Sequence, residues 1–160
     1  MTRDFNLHVR RLLFAAIVIS ALVGGFSGTA AADTTEITSW DELQNISDDL
    51  DGDYRITQEL GQSGSYETQV NESGWEPIGN ESQPFTGSLT ADSGVSVANL
   101  KINGSDDDNL GLIGVADGAE ITDLVISSAT VEIPNDQGTT GVLVGTARGS
   151  TTIRNVETDG

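Results

Sequence analysis

The stretch that decides the fold is Gly141–Gly160, "GVLVGTARGSTTIRNVETDG", because it respells Leu110–Ile126, "LGLIGVADGAEITDLVI". Each segment runs from a glycine through apolar residues to a second glycine. It then passes a turn of small residues and ends in an apolar pair around an amide or acid. Two copies of one spelling about thirty residues apart mark a repeat architecture, in which each unit buries its apolar face against the next.

Working outward from there, the apolar residues fall into recurring sets: Val95, Val97, Leu100 and Ile102; Leu110, Leu112 and Ile113; Ile121, Leu124, Ile126 and Val131; then Val142, Leu143, Val144, Ile153 and Val156. The sub-pattern apolar-x-(Asn/Asp)-apolar occurs at Val97–Leu100, Ile121–Leu124 and Ile153–Val156, with spacings of 24 and 32 residues. Short β-branched runs between glycine turns, without helical periodicity, predict strands. Stacked at a repeat of this length, they predict an all-β fold: a right-handed parallel β-helix (β-solenoid) of few coils, with apolar positions forming inward columns. On this reading Asn99, Asp123 and Asn155 share one recurrent corner, where a short polar side chain tolerates a left-handed backbone. The unequal spacing then calls for an extra turn, placed at Ile133–Asp136.

Upstream of the repeats, "SWDELQNISDDLDGDYRIT" predicts a short helix with Ser39 as N-cap and Asp41 and Glu42 in its first turn, a turn at Asp51-Gly52, and a strand at Tyr54–Thr57. Residues 59–74 read as a loop. Trp75, Ile78, Phe85 and Leu89 of "GWEPIGNESQPFTGSL" are expected to cap one end of the core. The predicted organisation is an export signal over 1–32, a mobile lead over 33–39, an N-terminal cap region over 40–94 and β-helix repeats over 95–160.

The export signal rests on three arginines before Leu12, a nearly continuous apolar run over Leu12–Val23, and small residues ending in Ala30-Ala31-Ala32. This layout places cleavage between Ala32 and Asp33. Arg10-Arg11 ahead of bulky apolar residues has the form of a twin-arginine address, and it equally supplies the positive flank of a general secretory signal, so both routes stay open. The apolar run is shorter than the ~20 residues of a membrane-spanning helix, and no comparable run follows. The predicted location is therefore extracellular or at the cell surface, with no membrane span after signal removal.

The precursor carries 25 acidic and 7 basic residues, net −18. Removing the signal takes Asp4, Arg3, Arg10 and Arg11, leaving 24 acidic and 4 basic residues, net −20. Such a surface resembles those of halophilic archaeal proteins, and it suits a medium in which salt screens self-repulsion; an acidic bacterial surface protein is the other reading. Nucleic acid is excluded as a partner, since phosphate binding needs clustered cations.

His8 is the single histidine and lies in the signal, and there is no cysteine. Histidine-based nucleophile systems, imidazole or thiolate zinc sites and disulfides are thereby excluded from the mature chain. Carboxylate-pair chemistry and calcium held by acids survive the inventory. Asp106-Asp107-Asp108 and the group Asp48, Asp49, Asp51 are the candidate calcium ligands, but neighbours in an extended turn do not converge on one ion, so both read as solvated turns. No catalytic residue and no cofactor is assigned. Asn45, Asn71, Asn80 and Asn103 each begin an Asn-x-Ser sequon and are candidate N-glycan acceptors.

"LGLIG" (Leu110–Gly114) and "TGVLVG" (Thr140–Gly145), each followed by an apolar-x-(Asn/Asp)-apolar strand, resemble the GLUG repeat of secreted bacterial and archaeal surface proteins. Its repeat-motif glycines map to Gly111, Gly114, Gly141 and Gly145. The stretch from "DGDYRIT" through "WEPIG" and "PFTGSL" to "VANLKI" resembles the segment that precedes such repeats. Leu110 and Thr140 stand where the "GGLVG" form has its first glycine, and Thr90–Gly94 lacks a second glycine, which leaves the coil boundaries open. The resemblance implies a β-helical extracellular protein that works in adhesion or contact with cell-envelope or extracellular protein or glycan, without shared catalytic residues. The rival class is a polysaccharide-active β-helix, a lyase or glycoside hydrolase, which would need stacked carboxylates with Arg148 or Arg154 as base. The final coil shows no polar cap, so the sequence reads as part of a longer repeat protein or as one that associates end to end.

Overall fold

A computed structural model of the chain describes residues 33–61, 74–103, 109–132 and 139–159. The export signal up to Ala32, Asn71, Asp106–Asp108 and Ile133–Asp136 lie outside the described residues, as does most of the 59–74 loop.

Among the described residues the elements begin with β1 (Thr35–Ile37), which leads into α1 (Trp40–Gln44). Ser39 Oγ accepts the backbone N–H of Glu42 at 3.3 Å, and the Glu42 carboxylate accepts from the backbone N–H and hydroxyl of Thr38 at 2.7 and 2.8 Å. This reciprocal capping starts a helix of only five residues where propensity alone would not. Burial raises the pKa of Glu42 in the first instance, but the hydrogen bonds from Thr38 and Ser39 outweigh it and hold the group below its ordinary value. Trp40 and Leu43 face inward, as does Ile46 in the following 3-10 turn Asn45–Asp48. Within the lead expected over 33–39, Thr35–Ile37 is a strand paired with β2 (Asp53–Ile56), and Ile37 is buried. Three residues, TEI, carry too little pattern to reveal a strand whose hydrogen bonds come from a partner nineteen residues on.

Next come β3 (Ser88–Ala91), β4 (Ser96–Ala98), β5 (Lys101–Asn103), β6 (Asn109–Leu110) and β7 (Ile113–Asp117). A second series repeats them as β8 (Glu120–Thr122), β9 (Val125–Ser127), β10 (Thr130–Glu132), β11 (Thr139–Thr140) and β12 (Val144–Arg148), and β13 (Thr152–Arg154) and β14 (Glu157–Asp159) begin a third. The fold is all-β, and every strand pairing among the described residues is parallel. Each strand lies on its counterpart in the preceding series, so the pairs Thr122–Thr90 and Asn155–Asp123 are each separated by 32 residues. No antiparallel hairpin of the kind a sandwich requires is present among these pairings.

The apolar columns follow from the register. Tyr54, Leu89, Ile121 and Ile153 stand one above another, as do Leu60, Val97 and Ile126; Trp75, Ile102 and Val131; and Ile78, Ile113 and Val144. Trp75, Ile78, Phe85 and Leu89 are thus rungs inside the columns instead of a cap at one end. The ladder β1-β2-β3-β8-β13 joins strands from both sides of residue 95 in one sheet. Along one column exposure changes sharply: Ile121 is 0% exposed and Ile153, on the edge strand β13, is 44% exposed.

The shared corner of Asn99, Asp123 and Asn155 is corrected by the register. All three do adopt left-handed backbone, with φ of 59°, 58° and 51°. Val97 lies beside Ile126, however, and not beside Ile121. Asp123 and Asn155 therefore stack on each other, joined by Asn155 Nδ2 donating to Asp123 Oδ1 at 2.9 Å. Asn99 belongs to the next corner, where its counterpart is Ser128, also left-handed at 53°. The spacing of 24 compared two different corners, and no inserted turn is needed to explain it.

Candidate functional site

Three features built by the stacking bear on function: a glycine column, a set of ion-pair clasps, and the loop Asn80–Gln83 with the cleft beside it.

The glycine column joins Gly79, Gly114 and Gly145. A Cβ on Gly114 would stand 2.5 Å from the carbonyl oxygen of Gly79, and one on Gly145 would stand 2.9 Å from that of Gly114. Gly111 and Gly141 occupy the adjoining turn, where a Cβ would lie 2.7 Å from the Ile113 oxygen and 2.4 Å from the Val144 oxygen, respectively. None of these four motif glycines has a positive φ, so they are required for space and not for backbone conformation. Sequence reading missed Gly79 as a member, although "PIG" repeats the ending of "LIG" and "LVG".

The clasps use three of the four cations among the described residues, Arg55, Lys101 and Arg148 but not Arg154. Arg55 meets Glu36 at 3.2 Å and Asp92 at 3.7 Å, Lys101 meets Glu132 at 3.6 Å, and Arg148 meets Asp117 at 3.1 Å and Glu81 at 2.6 Å. In-register stacking brings equivalent side chains about 4.8 Å apart, so acid over acid would repel. No ladder register among the described residues places one acid directly opposite another: Glu120 lies between Ser88 and Thr152, and Asp159 lies over Ser127. The surface is acidic in sum, yet in these ladders every acid faces a neutral or basic residue.

Arg148 also ties down the loop. Its Nη1 donates to Glu81 Oε2, its Nη2 to the Glu81 carbonyl at 3.1 Å, and its Nε to Asp117. Asn109 donates to the other Glu81 oxygen at 3.2 Å and accepts from Thr146. Asn80 Oδ1 accepts the backbone N–H groups of Ser82 and Gln83 at 2.9 and 3.0 Å, which closes the loop on itself. Beside it opens a cleft of about 540 Å³ lined by Glu76, Pro77, Asn80, Glu81 and Asn109. With both carboxylate oxygens of Glu81 engaged and Arg148 held by three acceptors, this group is a strap across successive series of strands. Exposed pairs of this kind contribute up to ~1 kcal/mol each. A double-mutant cycle of Arg148→Met and Glu81→Gln, read by thermal unfolding, should give a coupling of at most about 1 kcal/mol, shrinking as salt is raised.

On β2, Tyr54 donates its hydroxyl to the Asp49 carbonyl at 2.5 Å and packs against Phe85, ring centroids 6.5 Å apart. Burial, reinforced by the charges of Asp49 and Asp51, pushes its pKa from 10.0 up to about 12. The hydrogen-bonding contact with Asp51 raises the pKa of Asp49. Because the folded state holds the Tyr54 proton more tightly than the unfolded chain, this contribution is fully present below pH 10.0 and is lost as pH climbs to about 12. Urea midpoints should fall across that interval, and the fall should be smaller in Tyr54→Phe.

Among the described residues no group of three or more His, Cys, Asp or Glu side chains is arranged to hold a metal ion, and Asp48, Asp49 and Asp51 do not form one. No helix among them is long and apolar enough to cross a membrane. Of the sequons, Asn45, Asn80 and Asn103 are exposed. Arg154 lies exposed on β13, away from the strap.

No family model matches the chain, and no solved structure matches it. Halomucin from Haloquadratum walsbyi (strain DSM 16790 / HBSQ001) is 36% identical over 150 residues, covering 88% of this chain. The chain spans 2% of the length of Halomucin.

Proposed function

We propose that the chain is a module of an exported or cell-surface protein of a halophilic archaeon, a right-handed parallel β-helix of GLUG-like repeats whose role is contact and display at the envelope, not catalysis. The observation that carries this reading is the likeness to Halomucin over most of the chain, joined to strands that all pair in parallel one series apart. Right-handed winding is what parallel crossovers adopt in about 98% of cases. The glycine column supports the GLUG resemblance, since Gly111, Gly114, Gly141 and Gly145 each sit where a side chain has no room.

The contact surface is acidic, and the partner is a protein or glycan of the cell envelope or its surroundings. Arg148, which a polysaccharide-active enzyme would use as its base, serves here as a strap between Glu81 and Asp117. Self-association end to end would use the edge strand β13, where Ile153 offers apolar surface; elution volume in molar salt should then decrease as protein concentration rises.

The direct test is expression of the whole chain in a halophilic archaeon, followed by fractionation and by binding of the purified protein to cell envelopes in molar salt. Recovery from the envelope or medium with saturable envelope binding is expected. Retention inside the cell, or release of reducing sugar from acidic polysaccharides, would overturn the reading. The halophilic setting adds a further expected outcome. Lowering salt from ~1 M to ~0.1 M lengthens the Debye length from about 3 to about 10 Å and should lower the thermal midpoint.

A further inference from the structure

We propose that Asn80 is the N-glycan acceptor of the folded chain and that Asn45 and Asn103 are passed over. The inference rests on the export reading above, because the sugar donor is met outside the cytoplasm.

The three sequons share a spelling and differ in structure. At Asn80 the whole triplet Asn80-Glu81-Ser82 is exposed. The side-chain oxygen of Asn80 is occupied by the backbone N–H groups of Ser82 and Gln83, and its own backbone N–H donates to the Gln83 carbonyl at 2.9 Å. These bonds fix the amide plane through its oxygen and leave Nδ2, the atom that would be glycosylated, without a partner among the described residues. They also bring Ser82, the residue that completes the sequon, back over the amide. The adjoining cleft of about 540 Å³ leaves room for a sugar beside the loop, and the Glu81–Arg148 strap keeps the loop in this shape.

Asn45 offers none of this. Its backbone is helical, at φ −67° and ψ −10°, and its N–H is bonded back into α1. The middle residue of its triplet, Ile46, is 1% exposed in the core, so presenting the triplet to an enzyme means lifting the helical end off the molecule. Asn103 closes β5, in register with Glu132, and its Nδ2 lies 2.9 Å from where a Cβ on Gly74 would stand. It packs against backbone.

In the transfer, the bond between the sugar C1 and a phosphate oxygen of a lipid-linked oligosaccharide breaks, and the lipid phosphate leaves with the electron pair. C1 bonds to Asn80 Nδ2, which gives up one proton. No oxidant or reductant takes part.

The test uses the whole chain carrying Asn71→Gln, expressed in a halophilic archaeon whose own N-glycosylated surface protein serves as the standard in the same sample. Exported protein is digested and its glycopeptides are weighed. The glycan mass is expected on the Asn80 peptide and not on those of Asn45 or Asn103. It should be lost in Ser82→Ala, which keeps the Asn80 side chain, as well as in Asn80→Gln, with thermal unfolding of both variants still cooperative. Exported protein bare at Asn80, or equal occupancy at all three sites, would overturn the proposal and leave the surface reading standing. Protein retained in the cytoplasm would overturn that reading itself.

Discussion

Gly114→Val is expected to cost at least about 3 kcal/mol, the upper range for forcing bulk into a packed interior. The reason lies in what surrounds the position. A Cβ there meets the Gly79 oxygen at 2.5 Å, the Asn109 oxygen at 2.9 Å and Pro77 Cβ at 3.1 Å. Two of these are backbone atoms, one beside the Ile78 bridge and one on β6, and the third is on a proline ring, so no flexible side chain can swing away to relieve the contact. Moving them apart would break the parallel pairing that runs from Ile78 through Ile113 to Val144. Against a total stability of about 5–15 kcal/mol, the variant should melt roughly 10 °C or more below the parent or fail to fold. Gly118→Asn is the contrasting control: a Cβ there meets nothing within 4 Å, and asparagine tolerates its φ of +73°. The control should melt close to the parent.

The second large effect is Phe85→Ala, with an expected loss of ~3–5 kcal/mol by thermal or urea unfolding in molar salt. Phe85 is 0% exposed and forms an isolated bridge with Ala116. Its N–H bonds to Val115 and its carbonyl accepts from Asp117, both at 2.9 Å, so the backbone cannot collapse into the void. The lost contact with Tyr54 adds to the cavity. If the strand pairing is what orders this region, the variant should remain folded and soften first near Tyr54, detectable as a weakened pH dependence between 10.0 and about 12.

Much of the fold could be read because parallel stacking uses one side-chain code over and over. The columns through Ile121, Ile126 and Ile113 follow from apolar recurrence alone, and three of the left-handed corners follow from Asn or Asp before a buried leucine or a half-buried valine. What could not be read was register. Val97-Ala98-Asn99-Leu100 and Ile121-Thr122-Asp123-Leu124 are spelled alike although they turn different corners, so spelling does not tell one corner from the next. The strand at Thr35–Ile37 escaped for a related reason, since three residues carry little pattern and their pairing lies with Asp53–Ile56. The Asn80 loop was legible only as a sequon. Its strap depends on Arg148, 67 residues away, and nothing local to either residue announces the pairing.

The central claim is that successive series of strands lie in parallel register, Thr122 on Thr90. The chain has no cysteine to confuse a cross-link. Thr90 and Thr122 have their hydroxyls 3.3 Å apart, and neighbouring strands at about 4.8 Å fall within the Cα separation that a disulfide spans. In Thr90→Cys/Thr122→Cys, mild oxidation of the folded protein in molar salt should close an intramolecular disulfide nearly completely, with Thr90→Cys/Asp123→Cys lagging far behind. A Thr90→Cys/Thr122→Cys variant that stays reduced when folded, or closes no faster than it does in urea, would contradict the account.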